Sequence, residues 1–289
     1  MAIEHAGKPD WLKIRLRGNE QFRRTKHIVE SHRLHTICAS GKCPNQGECW
    51  GRGTATFMIG GEICTRSCRF CNTRTGKPEP VDPLEPDRVA ESIRLMGLKH
   101  AVVTSVDRDD LPDLGALHWV RTIRRIRTVN PETTLEILIP DFRGQMEWVD
   151  QLVEAAPDII AHNLETVRRL SPQIRSAARY ETSLSVLSHV AARGVRTKTG
   201  IMVGLGESAG EVAECMDDAL RAGVSLLTIG QYLQPSRKNI PVSEYVTPQQ
   251  FEAYRTLALS KGFHQVESAP LARSSYHAEK AFRNEPYSV

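Results

Sequence analysis

The chain has 289 residues, a formal net charge of +4, 40% hydrophobic and 25% charged side chains, the balance of a globular protein able to bury the core of one α/β barrel-type domain. No run approaches the ~18 apolar residues of a membrane span, and Met1-Ala2-Ile3-Glu4-His5 lacks the apolar core of a signal peptide, so no membrane partner and a cytoplasmic location are expected. In that reducing compartment the seven cysteines read as metal ligands or reactive thiols before disulfides.

In chain order, the first 35 residues carry eight Lys or Arg (Lys8, Lys13, Arg15, Arg17, Arg23, Arg24, Lys26, Arg33) against four acids (Glu4, Asp10, Glu20, Glu30), so 8 − 4 = +4, the charge of the whole chain. This is either a solvated face or an electrostatic dock for an acidic partner. Nucleic acid is not expected, because Trp11 and Phe22 are too sparse for a stacking platform and no helix-turn-helix or zinc-finger pattern is present. Next comes Cys38-Ala39-Ser40-Gly41-Lys42-Cys43-Pro44-Asn45-Gln46-Gly47-Glu48-Cys49, a C-x4-C-x5-C triplet. Glycine and proline punctuate it, so it reads as a loop wrapped around something; alone it could supply three ligands of a zinc site.

The apolar run 54–61 reads as a first strand. Behind it, Cys64-Thr65-Arg66-Ser67-Cys68-Arg69-Phe70-Cys71 sets three more thiols, C-x3-C-x2-C, on one short loop. Three thiolates are one too few for a closed site. A cubane held by one thiolate per iron would leave one iron open to something that is not protein; a zinc site completed by a distant His or Cys is the alternative. Cys215, on a helical pattern, reads as a small buried apolar residue.

From Asn72 to Asp87, Pro78, Pro80, Pro83 and Pro86 favour an extended connector. Helical periodicity follows over 87–98, an apolar strand over 101–106, and a helix over 114–129. Strand-like segments recur at 135–139, 158–161, 197–203 and 225–229, with helical patterns between. Six strands predict an α/β fold, a partial (βα)6 barrel of TIM type. Residues 1–53 then form an N-terminal extension, 54–262 the barrel and 263–289 a C-terminal segment. In such barrels the loops after the strands share one mouth. Polar residues stand there after each strand: Asp107, Asp109 and Asp110 after the second, Asp141 after the third, Asn163 and Glu165 after the fourth. Lys198 lies on the fifth, which ends in Gly204-Leu205-Gly206-Glu207, and Gln231-Tyr232-Leu233-Gln234-Pro235 follows the sixth. Each alone also reads as a turn former or helix cap.

The C-x3-C-x2-C loop behind an apolar strand resembles that of the radical S-adenosylmethionine (SAM) enzymes, and the two triplets in this order resemble the lipoyl synthases. Similarity runs from about Arg17 to Ala278 and includes the blocks 104–113, 198–207 and Arg273-Ser274-Ser275-Tyr276-His277-Ala278. Small departures are Leu114, where the family usually has Gly, and Ala269 and Ala272, where Gly and Val are common. The resemblance implies a radical SAM sulfurtransferase that inserts sulfur at C6 and C8 of an octanoyl group amide-linked to a lysine of a lipoyl carrier domain. SAM and two 4Fe–4S clusters would be its cofactors. Cys64, Cys68 and Cys71 would hold the cluster that binds SAM and delivers an electron to it. Cys38, Cys43 and Cys49 would hold an auxiliary, sulfide-giving cluster, with a serine as fourth ligand: by position Ser275, or Ser274 one place earlier. For the amino, carboxylate, ribose and adenine parts of SAM the candidates are Asp107, Asn163, Glu165, Arg179 and Lys198. A low-potential electron donor and a protein that reloads the auxiliary cluster are further implied partners. Another radical SAM sulfur-insertion enzyme, or a non-catalytic iron–sulfur or zinc protein, remains the alternative.

Overall fold

The computed structural model describes residues 8–13 and 18–278. Arg15 and Arg17 of the basic N-terminal stretch lie outside the described residues, while Arg23 and Arg24 are exposed on the first helix. The N-terminal part is α1 (Glu20–Ser31), a short strand β1 (His35–Thr36), α2 (Ile37–Ser40) and α3 (Gln46–Gly51). Helix α1 lies on α3 through Phe22 and Trp50, whose rings are 5.5 Å apart. There follow β2 (Thr56–Ile59) and a two-stranded ribbon, β3 (Ile63–Cys64) with β4 (Arg74–Thr75), which closes the cysteine loop.

The chain then alternates: α4 (Glu85–Met96), β5 (His100–Ser105), α5 (Ala116–Val129), β6 (Thr134–Leu138), α6 (Met146–Glu154) and β7 (Ile159–Ala161). It continues through α7 (Ser171–Ile174), α8 (Tyr180–Ala192), β8 (Arg196–Val203), α9 (Ala209–Arg221), β9 (Leu226–Gln231), α10 (Pro248–Lys261) and β10 (Gln265–Ala269). Strands β2 and β5 to β10 pair in parallel in that order, and β1 adds antiparallel to β2, so the sheet stays open between β1 and β10. This is the partial TIM-type barrel expected, with one parallel strand more and β1 added at the edge.

The extra strand is β10, whose Gln-Val-Glu-Ser-Ala lacks the apolar run of a buried parallel strand; pairing with β9 decides it. The sheet therefore runs past the boundary expected at residue 262. A second difference concerns the proline-rich connector: α4 begins inside it, with Pro86 in the first turn, where its missing N–H would have no helical acceptor anyway.

Side-chain alternation along the strands decides what faces the site. Phe57, Ile59, Ala101, Val103, Leu135 and Ile137 pack outward against α4 and α5 residues such as Ile93, Trp119 and Ile123. Their neighbours Met58, Val102, Thr104, Glu136 and Leu138 point inward and line a central cavity. Burying a side chain such as Ile123 stabilises by about 1.5–3 kcal/mol, so a one-residue slip, which would turn the whole outward set inward, is strongly opposed. Among the described residues no helix is long and apolar enough to cross a membrane.

Candidate active site

The cavity, about 550 Å³, opens inside the barrel and is lined by Cys64, Cys68 and Cys71 together with Cys38, Cys43 and Ser275. Two cysteine loops on either side of β2, and a serine near the end of the described chain, thus face one space.

The loop of Cys64, Cys68 and Cys71 is clamped by Arg66. Its guanidinium donates to Asp109 from Nε (2.7 Å) and Nη2 (2.9 Å), and to Asp141 from Nη2 (2.8 Å); Asp107 stands 3.4 Å away. These carboxylates follow β5 and β6, so one arginine ties the loop to two strand ends. Burial opposes their ionisation, yet the hydrogen bonds and charge of Arg66 outweigh it and hold the Asp109 and Asp141 carboxyls below their usual range. Backbone N–H groups of Arg66 (3.4 Å) and Asp107 (3.3 Å) donate to Cys64 Sγ, and that of Thr73 donates to Cys71 Sγ at 3.4 Å. Hydrogen bonds to cysteine sulfur are one lever on a cluster's potential.

The second set is closed by the C-terminal strap. Asn45 Nδ2 donates to the Leu271 carbonyl (2.7 Å), the Tyr276 hydroxyl to Glu48 (3.0 Å), and Arg52 meets His277 (3.0 Å). Thr56 Oγ1 donates to Ser275 Oγ at 2.7 Å, and Thr56 also contacts the Cys38 thiol. Ser274 turns the other way: its hydroxyl is 3.0 Å from Asn163 Nδ2. A side chain at Gly200 would collide there, its Cβ 2.9 Å from Asn163 Oδ1 and 3.1 Å from Ser274 Oγ.

The thiols are uncomfortable by themselves. Burial, then the neighbouring Cys38 and Cys43, push Cys49 up to about 12; burial and Cys38 raise Cys43. Burial and Asp107 push Cys64 up to about 12, and burial raises Cys68. Thiols packed so that each disfavours its neighbour's ionisation fit a cationic centre, which deprotonates its thiol ligands outright. Among the described residues no three His, Cys, Asp or Glu side chains converge tightly enough to hold a single metal ion. Ligands of a cubane need not, since each binds a different iron.

Of the residues expected to contact SAM, Asp107, Asn163 and Glu165 line the cavity. Glu165 has φ 67°, a left-handed conformation held by its N–H to the Gly200 carbonyl (3.0 Å) and its carbonyl to the Met202 N–H (2.8 Å). Strain of this kind in a non-glycine residue clusters at binding sites. Burial raises the carboxyls of Asp107 and Glu165.

Two expectations need correction. Arg179 is exposed before α8 and does not line the cavity; Arg175, four residues earlier, is buried, lines it and donates to Ser183 Oγ at 2.7 Å. The turn after α7 puts Arg175 inward and Arg179 outward, a choice invisible in spacing. Lys198 is not a cavity residue either: its ammonium pairs with buried Glu136 (2.8 Å) and donates to the Ser274 carbonyl (2.6 Å). Glu136 was legible as the one acid within Leu135-Glu136-Ile137. Arg66 and Arg273 carried no such signal.

The fold and this site define a radical SAM enzyme: the Radical SAM superfamily pattern matches residues 58–219. Streptococcus suis SuiB, bound to its precursor peptide, has the same fold at a TM-score of 0.59 and 10% identity over 86% of this chain and 52% of its own; methylornithine synthase has it at 0.52 and 12%, over 86% and 79%. Lipoyl synthase of Parabacteroides distasonis is 76% identical over 96% of this chain and 99% of its own, and that of Porphyromonas gingivalis 67% identical over the same shares. The chain belongs to the lipoyl synthase family, radical SAM sulfurtransferases with SAM and two 4Fe–4S clusters as cofactors.

Proposed function

We propose that Cys64, Cys68 and Cys71 hold the SAM-binding cluster and that Cys38, Cys43, Cys49 and Ser275 hold the sulfur-giving one. The substrate is an octanoyl group amide-linked to a carrier-protein lysine, and sulfur enters at C6 and C8. The observation that carries this reading is that thiols of both triplets and Ser275 face one cavity. Its apolar wall, with Met58, Val102, Leu138 and Met202, suits an eight-carbon chain, which gains about 0.8 kcal/mol per buried CH2.

When bound, SAM and its cluster supply a carbon radical able to take hydrogen from an unactivated aliphatic carbon, and the auxiliary cluster supplies sulfur. The chain's own residues bind and orient these groups and exclude water. Arg66 fixes the first cysteine loop, and Asp107, Asn163, Glu165 and Arg175 offer SAM its acceptors and cation. Thr56 supports Ser275, since its hydroxyl bond would strengthen on an ionised serine oxygen. Oxygen is a harder ligand than thiolate and suits a soft cluster less well, so Ser275 would be the weakest of the four groups holding that cluster; Ser274 is already engaged with Asn163. Within the N-terminal extension, the segment 38–52 together with the strap after β10 builds the auxiliary site, and the barrel builds the other. A low-potential electron donor, a cluster-reloading protein and a cytoplasmic location complete the reading, which the seven unpaired thiols support.

The test is metal and product analysis under anaerobic conditions. About eight irons per chain are expected, about four in the combined Cys64→Ala, Cys68→Ala, Cys71→Ala variant. That variant should form no 5′-deoxyadenosine. Ser275→Cys should keep forming it while sulfurated octanoyl-lysyl peptide falls sharply, with Ser274→Cys milder. Full sulfur insertion by Ser275→Cys would refute the serine assignment.

A further inference from the structure

Arg273 is the cation of the strap, half-buried and, among the described residues, without a carboxylate counter-ion. It lines the cavity beside Cys43, and its hydrogen bond goes to the adjacent Ala272 carbonyl at 2.6 Å. Among the described residues no carboxylate pairs with it, whereas Arg66 across the same cavity is shared by Asp107, Asp109 and Asp141. Space is reserved for it. At Gly230 on β9 a Cβ would come within 2.2 Å of the Ala272 carbonyl oxygen and 3.2 Å of Arg273 Nη1. The ionisable side chain that favours its charge is Cys43.

A guanidinium does not give up its proton in a protein. A half-buried cation without a partner gives up part of its hydration uncompensated, so such a site is better matched when an anion joins it. The neutral octanoyl amide brings none. The thiols of Cys38, Cys43 and Cys49 do, once iron has ionised them. We propose that Arg273 is the built-in counter-charge of the auxiliary site, a positioning residue whose guanidinium stabilises the anionic thiolate set and raises the reduction potential of the cluster on it. The inference rests on the auxiliary-site reading above.

The combined Cys64→Ala, Cys68→Ala, Cys71→Ala variant isolates that cluster. If it binds no iron while Arg273 is intact, the auxiliary-site reading itself fails. With about four irons bound, Arg273→Gln and Arg273→Lys are compared by redox titration followed by EPR. Because net charge and hydrogen bonding set cluster potentials, Arg273→Gln should become harder to reduce. The reduced-to-oxidised ratio at fixed potential should drop at least tenfold, about 59 mV for one electron, with Arg273→Lys close to the parent. An unchanged potential in an iron-loaded Arg273→Gln would overturn the proposal. So would loss of iron from the Gln and Lys variants alike, since shape and not charge would then be what matters. Iron retained with Lys but lost with Gln would support it. Weakened SAM binding by full-length Arg273→Gln with an unchanged auxiliary potential would reassign the guanidinium to the SAM carboxylate and also overturn it.

Discussion

His162, at the end of β7, shows burial deciding the charge of a group in the cavity wall. Its ring meets the Ile139 carbonyl (2.8 Å) and Ser183 Oγ (2.9 Å). Burial, and then the charge of Arg175, hold its pKa down at about 4 from the ordinary 6.5. Between those values the unfolded chain binds more protons than the folded one, so stability is whole above 6.5 and falls as pH drops towards 4. From pH 7 to pH 5 this group alone should cost about 2 kcal/mol. Denaturant midpoints of the iron-free protein should follow that slope, and His162→Gln, which keeps a polar side chain but cannot titrate, should flatten it. An equal slope in both proteins would show that other groups carry it. At the same scale, Leu114 has φ 53°, where the family's usual glycine would be unstrained. Leu114 is nonetheless 7% exposed and part of the core, so its burial offsets the backbone cost.

Among the elements, the strap 271–277 depends on strand β8 as much as on the N-terminal loop. Lys198 joins buried Glu136 on β6 to the carbonyl preceding Ser275. Removing one partner of a buried ion pair leaves an uncompensated charge and costs about 3–5 kcal/mol, whereas replacing both by apolar groups is often neutral. Lys198→Met should therefore lower the melting temperature markedly, and Lys198→Met with Glu136→Leu should recover most of it. Only the anchoring of the strap should stay lost in the double variant. Hydrogen exchange of residues 271–277 should remain faster than in the parent; parental protection would mean that Lys198 stabilises β8 without holding the serine segment.

Over the whole molecule, positive charge is concentrated at the start of the chain: the first 35 residues hold a net +4, with Arg23 and Arg24 exposed on α1 and Lys8 lining the cavity. If this surface meets an acidic carrier domain, affinity should weaken as salt rises, because exposed charges are screened over about 8 Å at physiological ionic strength. Reversing Arg15, Arg17, Arg23 and Arg24 to Glu should raise KM for the whole octanoylated carrier several-fold while leaving a short octanoyl-lysyl peptide nearly unaffected. Equal effects on both substrates would leave a solvated face.

The two cysteine triplets, the alternation of strands and helices, and the common address of Asp107, Asn163 and Glu165 were local in the chain. Spacing and periodicity carry such information without tertiary contacts. Arg175 in place of Arg179, the withdrawal of Lys198 into an ion pair, the joining of β10 to the sheet and the opposite facings of Ser274 and Ser275 were decided only by folding. Each depends on which partner lies across space: Ser183 for Arg175, Glu136 for Lys198, β9 for β10, and Asn163 and Thr56 for the two serines. Those partners stand up to 219 positions away, and a buried charge or hydroxyl goes where it can be satisfied, which no window of neighbouring residues records.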